Sequence, residues 1–355
     1  MLAPIKKVVA YLGFRLNLWN LGFLLFRIKV SKPMLIVFTF HRVTDSKRSN
    51  AYYMYYERGM DCRVFEEQLK AINHYFDIVS LDEFIDILQG RRMPKRNSAL
   101  ITFDDADSEF VDYALPLLCE RGIPSVMFTP TDFVDAANRF WHLRVSNIVR
   151  KLGPEHWTKF QHRAEELPAR IREIVSRQFP SNETGKRNLA LDLNHGFDKE
   201  NIKHVMRIID GWESIIGGEF VLGIGCMNWE QLRDLDRNNV AIESHSHSHG
   251  KLAQCEPAEL RDELTCSKGK IESELGKSVK AISYPGGSYD ERVVKTAQEA
   301  GYIIGFTTEN GHCKYPMQGP ELFKLPRYSL YGDTRDEIHY VLGTLAVKGM
   351  FGWRL

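Results

Sequence analysis

The chain has 355 residues, and its 47 lysines and arginines nearly cancel its 46 aspartates and glutamates, for a formal net charge of +1. That length supports one large core or two ordinary ones, and the charge balance does not mark a nucleic-acid partner. Six cysteines (Cys62, Cys119, Cys226, Cys255, Cys266 and Cys313) are scattered without a Cys-x-x-Cys spacing. This argues against a zinc ribbon or a disulfide scaffold and favours free thiols in a reducing compartment.

Residues 1–32 read as an N-terminal segment of their own. From Val8 to Phe26 the chain is apolar and aromatic, but Arg15, Asn17 and Asn20 interrupt it. A central arginine costs about 2.5–3.5 kcal/mol on membrane insertion, so a spanning helix is not expected. No small-residue cleavage site follows a clean apolar core, so neither is a cleaved signal peptide. Lys6, Lys7, Arg15, Arg27 and Lys29, beside Tyr11, Phe14, Trp19, Phe23 and Phe26, fit a basic helix making peripheral membrane contact through residues 1–30. A helix packed on the domain and an uncleaved signal anchor are the alternatives. The expected location is cytoplasmic or peripheral at a membrane.

Past Lys32 strand-like and helix-like runs alternate. Met34–Phe40 is an apolar strand ending in His41, Arg63–Phe76 has helical periodicity, and Ile78–Val79 is a short strand. Ser80-Leu-Asp-Glu83 is a capping box opening a helix towards Gln89. Strand Ala99–Phe103 precedes a helix over Ser108–Arg121, stopped by Gly122, and strand Pro124–Thr129. Between Asp132 and Cys226 the alternation fails. Phe140–Arg150 and Glu165–Gln178 look helical and Pro180–Gly185 looks like a loop, so about 136–225 is read as a mostly helical insertion. Its expected role is packing plus part of one groove wall. Helix Trp229–Arg237, strand Val240–Glu243, helix Pro257–Leu275, strand Val279–Tyr284, helix Asp290–Ala300, strand Ile303–Thr307 and a last strand within Leu325–Leu330 follow. Residues 33–335 thus form the main domain, and 336–355 a C-terminal helix and tail that begins with helical pattern at Arg335–Leu342. Strands alternating with helices at this spacing imply parallel pairing through right-handed crossovers, and about seven such units suggest a β/α barrel.

Chemistry-bearing residues follow the strands. His41, Asp104-Asp105, His245 and the Tyr284-Pro285-Gly286-Gly287 turn each sit at the C-terminal end of an expected strand, the face on which β/α barrels build active sites. In Ser244-His-Ser-His-Ser-His249, His245 and His249 are four apart. If the segment turns helical there, both imidazoles share one face and can reach a single metal ion. Two histidines and one aspartate around a metal leave a spare carboxylate beside it, as a metal hydrolase requires. A polar serine–histidine loop is the bland alternative. His247, between the two, would point away from them on a helix.

Thr102-Phe-Asp-Asp105, His245-Ser-His-Ser-His249 and Ser283-Tyr-Pro-Gly-Gly-Ser-Tyr289, in that order, resemble motifs of the polysaccharide deacetylases (carbohydrate esterase family four, the NodB-homology domain). Leu35–Val43, Ile123–Phe128, Met227–Leu232, Ala297–Tyr302 and Leu325-Pro-Arg327 resemble the flanking phrases, so the likeness covers about residues 33–135 and 225–330. It implies an α/β fold, a distorted (β/α)7 barrel, and metal-dependent removal of acetyl groups from the N-acetylated sugars of a poly- or oligosaccharide. Carried over residue by residue, Asp105, His245 and His249 would hold a divalent metal, zinc by preference, and Asp104 would be the general base. A backbone N–H near Pro285–Gly287 would stabilise the oxyanion. The usual late Leu-x-His motif for the general acid is missing. A subgroup that resembles this chain at its start uses a histidine at the end of the first strand, which points to His41. Arg327 would orient Asp104 or balance its charge, or else make a surface salt bridge. Ala106 stands where the family usually has glycine, tolerable unless φ is positive there. Gly286 replaces a commonly aromatic residue and would widen the groove.

Two other functions stay open: an O-acetyl esterase or other metal amidase on the same barrel, and a catalytically silent glycan-binding barrel. The expected partner is an acetylated glycan, or a non-sugar amide in the amidase alternative.

Overall fold

A computed structural model describes residues 33–45, 59–135, 140–198, 200–217, 225–330 and 336–351. The N-terminal segment, with the membrane-contact helix expected on it, lies outside the described residues. Among the described residues, no helix is long and apolar enough to cross a membrane.

Ten strands are described: β1 (Leu35–Phe40), β2 (Val43–Thr44), β3 (Met60–Asp61), β4 (Asp77–Ile78), β5 (Ser98–Asp104), β6 (Ser125–Thr129), β7 (Val240–Ser244), β8 (Ala281–Ser283), β9 (Ile304–Phe306) and β10 (Tyr328–Ser329). Seven of them run β10-β1-β5-β6-β7-β8-β9, all paired in parallel, and β4 adds to the first half of β5. Helices fill the crossovers, as the strand–helix alternation requires. The result is a curled seven-stranded α/β half-barrel, the distorted barrel expected from the sequence. β1 and β5 are buried along their whole length, so they read as continuous apolar runs rather than alternating ones. The segment from Leu325 draws the open ends together: Leu325 N–H donates to Gly305 O at 2.9 Å, and Leu330 N–H donates to Thr39 O at 2.9 Å.

Helices Cys62–Tyr75, Leu81–Leu88, Trp229–Arg237, Pro257–Leu275 and Glu291–Glu299 stand where periodicity and caps put them. The Ser80–Glu83 capping box forms as expected. The single helix expected over 108–121 is instead two, Phe110–Tyr113 and Leu115–Glu120, because Pro116 lacks the N–H that a continuous helix would need. The C-terminal helix, Asp336–Phe351, outruns its predicted end at Leu342.

The insertion between β6 and β7 holds helices Trp141–Lys151, Pro154–His162, Ala169–Val175, Glu183–Phe197 and Ile202–Ile216. Part of the expected loop at 180–185 is a helix start: Asn182 Oδ1 accepts from Gly185 N–H at 2.8 Å and caps the fourth of these helices. These helices have their own core, in which Phe160 stacks on Trp212 at 4.6 Å, separate from the barrel core around Phe38, Phe40, Phe65 and Phe103. The insertion and the barrel thus each have a core of their own, and among the ties between them is the Lys203–Glu259 ion pair.

One barrel contact is ionisable. β7 and β8 share the single register pair Ser244–Ile282. Below it the Glu243 carboxylate accepts from Lys280 N–H (2.8 Å) and Ala281 N–H (2.6 Å), taking donors that a longer ladder would use. Burial pushes this carboxyl up from 4.5 to about 8, against the lowering effect of those two N–H groups. A carboxyl raised in the folded state stabilises the fold fully below its unfolded pKa and loses that contribution as pH rises through the folded one. The native protein should therefore lose stability relative to Glu243→Gln between about pH 5 and 8. Urea midpoints of the two proteins across that range provide the check, and parallel curves would remove Glu243 from this role.

Candidate metal centre and active-site cleft

Asp104 closes β5 and Asp105 begins the turn after it. That turn is tightly wound, with φ of 78° at Asp105 and 53° at Ala106. Positive φ at a non-glycine residue is strained and persists only where neighbours over-determine it. Here Ala106 O accepts from Met227 N–H (2.9 Å), Gly225 O accepts from Ser108 N–H (2.9 Å), and Asp107 and Cys226 form an antiparallel bridge. The condition attached to Ala106 in the sequence is thus met in the unfavourable sense.

The serine–histidine run is not helical. β7 ends at Ser244, and the chain leaves it as a loop with φ of 63° at Ser246 and 59° at His249. The i,i+4 helical face is thereby corrected: two left-handed residues swing His249 back beside His245, with ring centroids 4.9 Å apart. Local bonds fix the loop. Ser244 Oγ accepts from Ser246 N–H, Ser246 Oγ accepts from His249 N–H, and Glu263 takes the N–H groups of His247 and Ser248. His247 does turn away, to Thr131 Oγ1 at 2.9 Å, but by loop geometry rather than helical phase.

Asp105, His245 and His249 converge. Asp105 Oδ1 lies 3.5 Å from His245 Nε2 and 3.1 Å from His249 Nε2, and the three ligand atoms lie within 4.8 Å of one another. Tetrahedral ligands at zinc-like bond lengths stand about 3.3 Å apart, so these spacings suit one small divalent ion. Tautomer and charge also fit. His245 Nδ1 is 2.8 Å from Ser283 O, which can only accept, so the proton sits on Nδ1 and the Nε2 lone pair faces Asp105. Burial holds His245 down at about 4, outweighing the nearby Asp104, so its imidazole is neutral, as a ligand must be. Burial alone would raise Asp105, but His249, His41 and His245 together hold it well below the carboxylate range.

Asp104 has other company. Arg327 Nη1 and Nη2 each reach one of its oxygens at 2.8 Å, and Ser283 Oγ–H donates to Oδ2 at 3.3 Å. Arg327 is only 1 % exposed, so it orients and neutralises Asp104 and makes no surface bridge. Burial opposes ionisation of Asp104, yet Arg327 first, then His245 and His41, bring it down to about 2. His41, just past β1, lines the same cavity, and Arg42 beside it is buried against Glu109 (2.7 and 2.5 Å).

The cavity of about 240 Å³ over these groups is edged by Tyr284, Pro285 and Gly286. The Tyr284 phenol is committed to Phe323 O (3.1 Å), so its hydroxyl is not a substrate group. Gly287 N–H is likewise used, by Tyr284 O at 2.9 Å. Gly287 is required on other grounds, since a Cβ there would stand 2.1 Å from Thr308 Oγ1. Pro285 has no N–H, which makes Gly286 the remaining donor candidate of the turn.

Sequence reasoning left several groups without a role. Ser283 opens the Ser283–Tyr289 motif, and its carbonyl and hydroxyl both face the site. Trp141, His142, Phe197 and Ile202 come to the cavity from the insertion, with no local signal to announce them.

Ala106→Gly should raise stability by up to about 1 kcal/mol, the relief of left-handed strain less the greater unfolded-state freedom of glycine. The measurement is a urea midpoint at unchanged slope; a lower midpoint would mean that packing of the Ala106 methyl outweighs the strain.

The family model for polysaccharide deacetylases matches residues 190–304. YxkH of Bacillus subtilis (strain 168), a protein assigned to the polysaccharide deacetylases, is 34% identical over 82 residues, 23% of this chain and 29% of that protein, so the match spans less than a third of its length. The fold is similar to the Streptococcus pyogenes deacetylase PplD in complex with acetate (TM-score 0.55, 15% identity, 88% of this chain and 99% of that one). It is also similar to the Bacillus cereus polysaccharide deacetylase BC0361 (0.54, 16%, 88% and 69%) and to IcaB from Ammonifex degensii (0.54, 16%, 88% and 97%). At these identities the structural likenesses speak for the fold, and the sequence matches for similarity over part of the chain. The chain is thus similar to the polysaccharide deacetylase family, in sequence over residues 190–304 and in fold over most of its length.

Proposed function

We propose that the protein removes acetyl groups from N-acetylated sugars, hydrolysing the amide with a divalent ion, zinc by the N2O donor set, held by Asp105, His245 and His249. The observation that carries this is the division between adjacent carboxylates: Asp105 faces two imidazole Nε2 atoms, while Asp104 is held apart by Arg327 at the edge of the same cavity.

Held by Asp105, His245 and His249, a divalent ion would supply Lewis-acid chemistry, polarising the acetamide carbonyl and acidifying an attacking water. Asp104 takes the proton from that water. Its carboxylate is a weak base at about 2, so its value lies in position: Arg327 fixes both oxygens, and base strength is traded for geometry. Gly286 N–H donates to the oxyanion as the carbonyl carbon becomes tetrahedral. His41 delivers a proton to the sugar nitrogen as the C–N bond breaks, leaving acetate and a free amine. Ser283 O keeps the His245 proton on Nδ1 throughout, so Nε2 stays available.

The expected outcomes separate the roles. Asp105→Ala should lose bound metal, measured by elemental analysis after reconstitution. Asp104→Asn should keep the metal and lose turnover by about 10²–10⁴-fold, the usual weight of a general base. His41→Ala should lower turnover over the same range with metal retained; unchanged acetate release would remove it as the acid. N-acetylated and O-acetylated glycans assayed side by side test the bond type. Faster release from the O-acetylated set would make the enzyme an esterase instead.

A further inference from the structure

The cavity has two walls from different parts of the chain. The barrel contributes His249, Gly250 and Lys251, and the insertion contributes Trp141, Phe197 and Ile202. They meet directly beside a metal-ligand candidate. Lys251 Nζ lies 2.7 Å from Asp198 Oδ2, and a Cβ on Gly250 would stand 3.1 Å from Ile202 Cγ2. Farther out, Lys203 and Glu259 make a second bridge of 2.7 Å between the units. Because the insertion core is separate from the barrel core, these contacts help set where the wall stands.

A groove for the interior of a polymer needs room on both sides of the reacting residue. Here the His249 side is filled by Ile202 against Gly250 and by the Asp198–Lys251 pair. The cavity is also small, about 240 Å³, below the roughly 300–1,000 Å³ of pockets for drug-sized ligands. Gly286 supplies part of that room, with Lys251 Cε 3.8 Å from where a Cβ would be.

We infer that the insertion turns the site into a blind pocket for a single N-acetylated sugar residue, at the end of a glycan or on a small carrier. Interior residues of a long chain are excluded. Specificity here rests on the deacetylase activity proposed above, with Asp198, Lys251 and Ile202 as the determinants of end selection.

The test gives the metal-reconstituted full chain the methyl glycoside of N-acetylglucosamine and the β-1,4-linked pentamer. Mass spectrometry then locates each new amine. The expected result is acetate from both, with the pentamer opened at one terminal residue at least about tenfold faster than at interior ones. Comparable rates at interior and terminal residues would overturn the inference while leaving the deacetylase activity intact. Acetate from neither probe would overturn both. Independently of turnover, saturation-transfer NMR of the pentamer with the Asp104→Asn protein should mark one terminal sugar, and signal spread evenly along the chain would contradict the blind pocket. In the double variant Asp198→Ala, Lys251→Ala, the interior-to-terminal ratio should rise about fivefold or more. A purely structural role would lower both rates together and leave the ratio unchanged, which would remove the pair as determinants.

Discussion

The buried contact between Arg327 and Asp104 is the constraint from which the rest of the site follows. All five N–H donors of the guanidinium are used: Nε to Thr307 O, Nη1 to Thr39 Oγ1 and Asp104 Oδ1, Nη2 to Asp104 Oδ2 and Ser283 Oγ. These partners belong to β1, β5, β8 and the residue just after β9, so one side chain ties four strand ends on the face that holds the cavity. Burying such a charge is costly, and it is sustained only where every donor is matched and the partner is equally well held. Lysine could not substitute: it is a point charge with three donors and cannot grip a carboxylate on both oxygens while reaching three further acceptors.

Strain is concentrated around the same face. Asp105, Ala106, Ser246 and His249 have positive φ, and each of the four is, or adjoins, a candidate metal ligand. A left-handed residue costs about 1–3 kcal/mol where glycine is absent, so the loops hold because hydrogen bonds fix them from both sides. Met227 N–H on Ala106 O, and Glu263 beneath His247 and Ser248, supply that restraint. Neither contact lies near its partner in sequence. The candidate ligands are thus aimed by tertiary structure, which is why the spacing of the histidines alone suggested the wrong local conformation.

The legibility of the sequence follows the same division. Parallel strands buried on both faces announce themselves as apolar runs, and the residue after each run falls on the barrel's C-terminal face whatever the loops do. His41, Asp104-Asp105 and His245 were legible for that reason. Helix boundaries at Ser80, Asn228 and Asp290 were legible because capping side chains act within three residues. The role of Arg327 was not, since nothing local distinguishes a buried arginine from an exposed one. The insertion wall was hidden more deeply. Trp141 and Phe197 belong to the insertion's own core, and their second function, facing the cavity, exists only once Ile202 and Asp198 meet the barrel.

The aspartate pair shows how one step of backbone separates two chemistries. Asp104 is the last residue of β5, so the pleat fixes its direction and delivers it to Arg327 inside the barrel mouth. Asp105 is the first residue off the strand, and its left-handed φ turns it towards the imidazoles instead. Had the strand continued one residue further, pleat alternation alone would have sent Asp105 to the opposite face, away from both histidines. The left-handed turn is therefore what allows adjacent carboxylates to serve one cavity while answering to different partners. Its strain is the physical reason that the two can differ in role: one anion is neutralised by a fixed guanidinium, and the other remains available to a cation.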